Sequence, residues 1–84
     1  MELASAVITD HAAGRLIKRG ISPEAVRTVL AAPESVAEVR TGRVVAQGIV
    51  GEYLLRVFVD VDRQPPEIVT VYRTSKISKY RSMP

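Results

Sequence analysis

Cysteine is absent from the 84 residues. The domain therefore has no disulfide framework, no thiolate zinc site and no thiol nucleophile, and a reducing, cytoplasmic setting is expected. Histidine occurs once, as His11. A single imidazole cannot assemble a multi-histidine metal site, and no glycine fingerprint of nucleotide binding is present, so neither metal nor cofactor is expected. Long apolar runs are missing too. The longest, Val44–Ile49 and Tyr53–Val59, are interrupted by Gln47 and Arg56 and fall short of the ~20 residues of a membrane-spanning helix. The opening Met1–Asp10 begins with an acid and lacks the basic start and apolar run of an export signal.

Acidic residues are also missing from one end. Residues 1–67 hold eight Lys and Arg with all nine Asp and Glu, whereas 68–84 hold Arg73, Lys76, Lys79 and Arg81 and no acid. The net charge of +3 thus comes from the C-terminal segment, and 75–84 reads as a basic tail on a single domain spanning 1–84. Such a tail suits an anionic partner, because neutralising phosphates releases counterions. The structural alternative is a solvated tail that keeps the chain soluble. A 46% hydrophobic fraction is that of a globular protein with one modest core.

The period of the apolar residues predicts two helices and then a sheet. Asp10–Arg19 has Thr9 or Asp10 as N-cap and Gly20 at the left-handed C-cap position. Its apolar side is Ala12, Ala13, Leu16 and Ile17, and its polar side collects His11, Arg15, Lys18 and Arg19. Ser22 caps a second helix, Pro23 takes its first position, Ile21 and Val26 form a hydrophobic staple, and Pro33 ends it. Strands are predicted at Val36–Arg40, Arg43–Val50, Tyr53–Val61 and Glu67–Arg73, with tight turns at Thr41–Gly42 and Gly51–Glu52 and a longer loop over Asp62–Pro66. The expected class is α+β: two N-terminal helices packed on a four-stranded antiparallel meander.

Arg56 stands out because it interrupts the most apolar strand. Alternation puts Tyr53, Leu55, Val57 and Val59 on one face and Leu54, Arg56, Phe58 and Asp60 on the other. A guanidinium there must be paired, exposed on an open face or offered to a ligand; the structural explanation is an ion pair with Glu38, Glu52 or Asp60. Thr70 and Tyr72 share a face of the last strand, with Val69, Val71 and Arg73 on its reverse. Alternation leaves open whether Arg56 faces the way of Arg73 or of Tyr72. From Tyr72 to Arg81 the chain interleaves phenols, hydroxyls and cations, a mixture that grips phosphates and stacks unpaired bases. His11 is the residue suited to proton transfer near neutral pH.

Ile8-Thr9-Asp10-His11-Ala12 with Arg15, then Arg19-Gly20-Ile21-Ser22, Leu54-Leu55-Arg56-Val57, and Val69 to Lys76 followed by Lys79-Tyr80 together resemble the bacterial family known as domain of unknown function 4258. That family is grouped by fold with RelE-like and BrnT-like toxins of toxin–antitoxin pairs, which are metal-independent ribonucleases. The resemblance implies a helix-and-sheet fold with RNA held on a concave face. It implies attack by a ribose 2′-hydroxyl on the adjacent phosphate, Arg56 and Arg73 stabilising the phosphorane and His11 moving the proton. Arg15, Arg19, Thr70, Tyr72, Lys76, Lys79 and Tyr80 would bind substrate. The partners implied are RNA, free or on the ribosome, and an antitoxin protein. The alternative is a non-catalytic module binding nucleic acid or protein, including a homodimer paired through a sheet edge.

Overall fold

The computed structural model describes residues 3–81. A short 3-10 turn, Leu3–Ser5, leads into β1 (Val7–Ile8), α1 (Asp10–Arg19), α2 (Pro23–Ala31), β2 (Ser35–Arg40), β3 (Arg43–Val50), β4 (Tyr53–Asp60), β5 (Glu67–Thr74) and α3 (Ile77–Arg81). The architecture is α+β, but the sheet has five strands in the order β1-β5-β4-β3-β2 and is mixed. The expected meander is β2 to β5, all antiparallel, and β1 is added parallel to β5, Val7 opposite Glu67 and Ile8 opposite Ile68. Two residues are too few for alternation to register, which is why the sequence pattern does not reveal β1. The third helix corrects the expectation in a second way: residues 77–81 of the segment read as a tail are helical. Residues 82–84 of that segment lie outside the described residues.

The helix ends follow the local chemistry. Thr9 caps α1 by accepting from the Ala12 amide at 3.1 Å, and its hydroxyl donates to the Ile68 carbonyl of β5 at 3.1 Å. One threonine therefore fixes both where α1 starts and which strand it lies beside. Gly20 ends the helix at φ 64°, in the left-handed region that glycine enters without a Cβ penalty. Ser22 accepts from the Ala25 amide and Pro23 opens α2. Arg27 of α2 donates to the Ala6 carbonyl, tying the N-terminal turn to the second helix.

α1 and α2 cover one face of the sheet. Ala12 and Leu16 of α1 and Val26, Val29 and Leu30 of α2 meet Val44, Ala46, Leu55, Val57, Val59, Ile68 and Val71 in one apolar core. Gly48 of β3 faces α2, and a Cβ there would stand 3.5 Å from the Val29 side chain, an ordinary van der Waals distance. Ile17, expected on the buried side of α1, is 83% exposed. The buried stripe centres on Ala12 and Leu16, and Ile17 is turned about 100° beyond Leu16, onto the solvent side with Asp10 and Gly14.

The opposite face of the sheet is not bare. Leu54, Val45 and Gln47 are buried there although they stand outside the helix-side core. α3 folds back onto this face, where the Gln47 side-chain amide donates to the Tyr80 carbonyl at 3.4 Å. A register shift between Phe58 and Val59 makes Val69 an extra residue in β5, the two-against-one arrangement of a β-bulge.

Candidate nucleic-acid interface

Arg56 sits at the middle of β4, opposite Gln47 of β3 and Tyr72 of β5, and its side chain lies on the face away from α1 and α2. Its Nε donates to Gln47 Oε1 at 3.1 Å and its Nη1 to the Tyr72 hydroxyl at 2.5 Å. Three rings surround the guanidinium: the Tyr80 centroid at 4.4 Å and those of Phe58 and Tyr72 at 5.6 Å. The rings support one another, Phe58 and Tyr72 stacked at 5.9 Å and Tyr72 edge-on to Tyr80 at 6.5 Å. The expected ion pair is not formed. Asp60 pairs with Arg43 instead, and among the described residues no carboxylate lies within salt-bridge distance of Arg56.

The donors that remain decide what this centre can do. A guanidinium has five N–H groups in a plane; Nη2 of Arg56 has no protein partner among the described residues. Tyr72 uses its oxygen to accept from Arg56, so its own O–H is still available to donate. Two donors of opposite rigidity, a fixed fork and a rotating hydroxyl, thus remain at the centre. The guanidinium opens onto a cavity of about 250 Å³ whose other walls include Ser35, Ala37 and Glu38 of β2, Gln47 and Tyr80.

The other residues expected at one pocket are dispersed. Arg73 pairs with Leu55 across β4 and β5, so it lies on the helix side of the sheet, where its Nη1 donates to the Gly20 carbonyl at 3.3 Å. The reason is register: because Arg56 faces Tyr72, its neighbour Arg73 must point the other way. His11 is exposed on α1. It lines one shallow depression with Asp10, Gly14, Arg15 and Lys18 and another with Thr70, Arg43 and Asp60, and Arg56 borders neither. The structure therefore does not bring His11, Arg56 and Arg73 together at one cavity. Thr70 and Tyr72 do share the Arg56 face. Arg19 donates to the Val71 carbonyl at 2.6 Å and to Thr70 Oγ1 at 3.3 Å, covering the edge of β5 beyond the end of β1. Lys79 Nζ stands 5.4 Å from the Tyr80 ring centroid, while Lys76 is exposed and its amide donates to Thr74 Oγ1.

A family model for a domain of unknown function, DUF4258, matches residues 8–73. The chain belongs to this family. No curated protein and no solved structure matches it. The part of the DUF4258 domain matched by the family model includes His11, Arg56, Tyr72 and Arg73, and it stops before Lys76, Lys79 and Tyr80. The ring that stacks closest on Arg56 therefore comes from beyond the matched part.

Two residues of this centre are absent from the sequence-based set. Gln47 orients Arg56 and anchors α3, and Phe58 supplies a ring. Gln47 carried a signal, since it breaks an apolar strand as Arg56 does; the two breaks are opposite each other in the β3–β4 register. Farther along the same face, Arg43 and Asp60 make a two-point pair, Nε to Oδ1 at 2.6 Å and Nη2 to Oδ2 at 3.2 Å. The Arg43 hydrogen bond holds the Asp60 carboxyl below its usual range, against the opposing effect of burial and with help from the charges of Arg43, Arg40 and Arg63. Among the described residues no group of three His, Asp or Glu side chains is placed to hold a metal ion. Nor is any described helix long and apolar enough to cross a membrane.

Proposed function

We propose that this DUF4258 domain binds single-stranded RNA on the sheet face that carries Arg56, and that it acts there as a metal-independent endoribonuclease of the RelE-like and BrnT-like toxin type, kept inactive by a protein partner. One observation carries the reading: a half-buried guanidinium without a counter-carboxylate is held among three aromatic rings, with Nη2 and the Tyr72 O–H both free to donate. A phosphate oxygen is the natural acceptor for such a pair, and the Tyr80 and Phe58 rings offer stacking surfaces for bases.

In the cleavage step the ribose 2′-oxygen bonds to the adjacent phosphorus and the bond from phosphorus to the 5′-oxygen breaks. The products are a 2′,3′-cyclic phosphate and a 5′-hydroxyl. Arg56 stabilises the charge that develops on the phosphorane. The Tyr72 hydroxyl supplies a proton to the departing 5′-oxygen, and solvent water takes the proton of the 2′-hydroxyl. His11 and Arg73 line other cavities and are left out of this set. Arg15 and Lys18 line the same depression as His11 and are left out with it.

A second reading is RNA binding without cleavage. It is favoured by the absence of an imidazole from the Arg56 cavity, which leaves proton transfer to a phenol and solvent water. The two are separated by incubating purified protein with 5′-labelled single-stranded RNA in chelator, beside Arg56→Ala and Tyr72→Phe. Cyclic-phosphate ends formed by the unsubstituted protein alone, and blocked by a 2′-deoxy substitution at the cut site, support the enzyme. A retarded but intact RNA supports the binder. RNA that is neither bound nor cut, alone or in the presence of ribosomes, sinks both.

A further inference from the structure

The helix side of the sheet holds a second cavity, remote in the fold from the RNA face. It lies where the turn between α1 and α2 meets β3 and β4, and its volume is about 210 Å³. Ile21, Ala25, Val50 and Leu55 make apolar walls, while Tyr53 and Arg73 stand at its polar side. Arg73 is anchored at one nitrogen only, by the Gly20 carbonyl, and its guanidinium carbon is 5.2 Å from the Tyr53 ring centroid. Among the described residues it has no carboxylate partner, and its Nε and Nη2 are unengaged. Among the described residues the Tyr53 hydroxyl has no hydrogen-bond partner, and Tyr53 is 42% exposed.

We infer that this cavity binds a small carboxylic acid with a branched apolar body, the carboxylate on Arg73 and the hydrocarbon against Ile21, Val50 and Leu55. The guanidinium fork matches a carboxylate with two parallel N–H···O bonds. The apolar walls disfavour a second charge or a polyol, because each polar group buried there would lack a partner. Size sets the rest. The cavity is smaller than the roughly 300–1,000 Å³ of ordinary ligand pockets, so it takes a body the size of a leucine side chain rather than a nucleotide or a long acyl chain. Arg73, expected from sequence to act on RNA, thereby serves a different ligand on the opposite face.

Methyl-resolved NMR of the full chain titrated with 4-methylpentanoate tests this, with the neutral 4-methylpentanamide as control. Saturable shifts confined to the methyls of Ile21, Val50 and Leu55, with a dissociation constant in the millimolar range expected of a ligand of about eight heavy atoms, support the site. The amide should bind at least tenfold more weakly. Arg73→Ala should weaken the acid at least tenfold and Arg73→Lys by less; both replace an exposed side chain, and unchanged shifts elsewhere confirm that they fold. Ala25→Leu, which fills the cavity, should abolish binding. Shifts that do not saturate, that are equal for acid and amide, or that appear only with an acetylated peptide ending in leucine would overturn the proposal, the last by assigning the cavity to a peptide. RNA binding is read separately on the same variants, so failure of this site leaves the Arg56 reading intact.

Discussion

Arg56 is held by a carboxamide, a phenol and three rings, so its shape matters as much as its charge. Arg56→Lys keeps the charge but loses the planar fork and most of the ring contact; RNA affinity should fall by about tenfold, with the loss persisting at low salt. Arg56→Ala removes the donor to Gln47 Oε1, and Gln47 is only 5% exposed. An unsatisfied buried acceptor costs roughly 1–3 kcal/mol, so urea denaturation of this variant should show a lower midpoint with an unchanged slope. Tyr72→Phe separates the two effects: its hydroxyl is lost while the stacking with Phe58 remains, so cleavage should fall more than binding. Asp60 gives a pH prediction on the same face. Its carboxyl is held below the usual 3.8 in the folded protein, first by the Arg43 hydrogen bond, so the folded state binds this proton less readily than the unfolded one. The stabilisation is fully present above the unfolded value near pH 4 and is lost as pH falls through the depressed folded value. Acid unfolding followed by circular dichroism should therefore depend less on pH below about 4 in Asp60→Asn.

At the level of elements, α1 carries two opposed features. Thr9 is its cap and its link to β5, and Thr9→Ala removes the bond to the Ala12 amide together with the one to the Ile68 carbonyl. A loss of about 1–2 kcal/mol is expected by thermal or urea denaturation. Gly14 lies in the middle of the same helix with nothing within 4 Å of the position a Cβ would take. Packing gives no reason for glycine there, so Gly14→Ala should raise stability by roughly 0.5–1 kcal/mol, a melting-temperature increase of about 2–8 °C in a domain of this size. Elements of this kind were legible in the sequence. Thr9, Gly20, Ser22 and Pro23 signal helix ends through local hydrogen bonding and φ preference, and Gly42 and Gly51, at φ 84° and 63°, mark the hairpins. β1 and α3 were not legible. β1 is a strand only because β5 offers it an edge, and α3 packs through Tyr80 and Gln47, which are far apart in the chain.

For the whole molecule, register decides function. The bulge at Val69 and the pairing of Arg56 with Tyr72 send Arg56 and Arg73 to opposite sides of one sheet, and no local pattern in either strand contains that information. The sequence did identify the unusual residues, because a guanidinium in an apolar strand and a run of phenols and cations are costly without a role. It could not say which of them meet. The outcome is a two-faced domain, with an apolar core and a small cavity on the helix side and an aromatic, cationic surface on the other. The outer strand β2 is a free edge of the sheet and exposes Val36 and Val39 at 44% and 51%. The most direct measurement is fluorescence anisotropy of a short labelled single-stranded RNA against the unsubstituted protein, Arg56→Ala and Arg73→Ala at one low salt concentration. Both variants lose one positive charge, so general electrostatics lowers both alike. The account predicts at least a tenfold loss of affinity for Arg56→Ala and no more than about threefold for Arg73→Ala; equal losses, or a larger loss for Arg73→Ala, would contradict it.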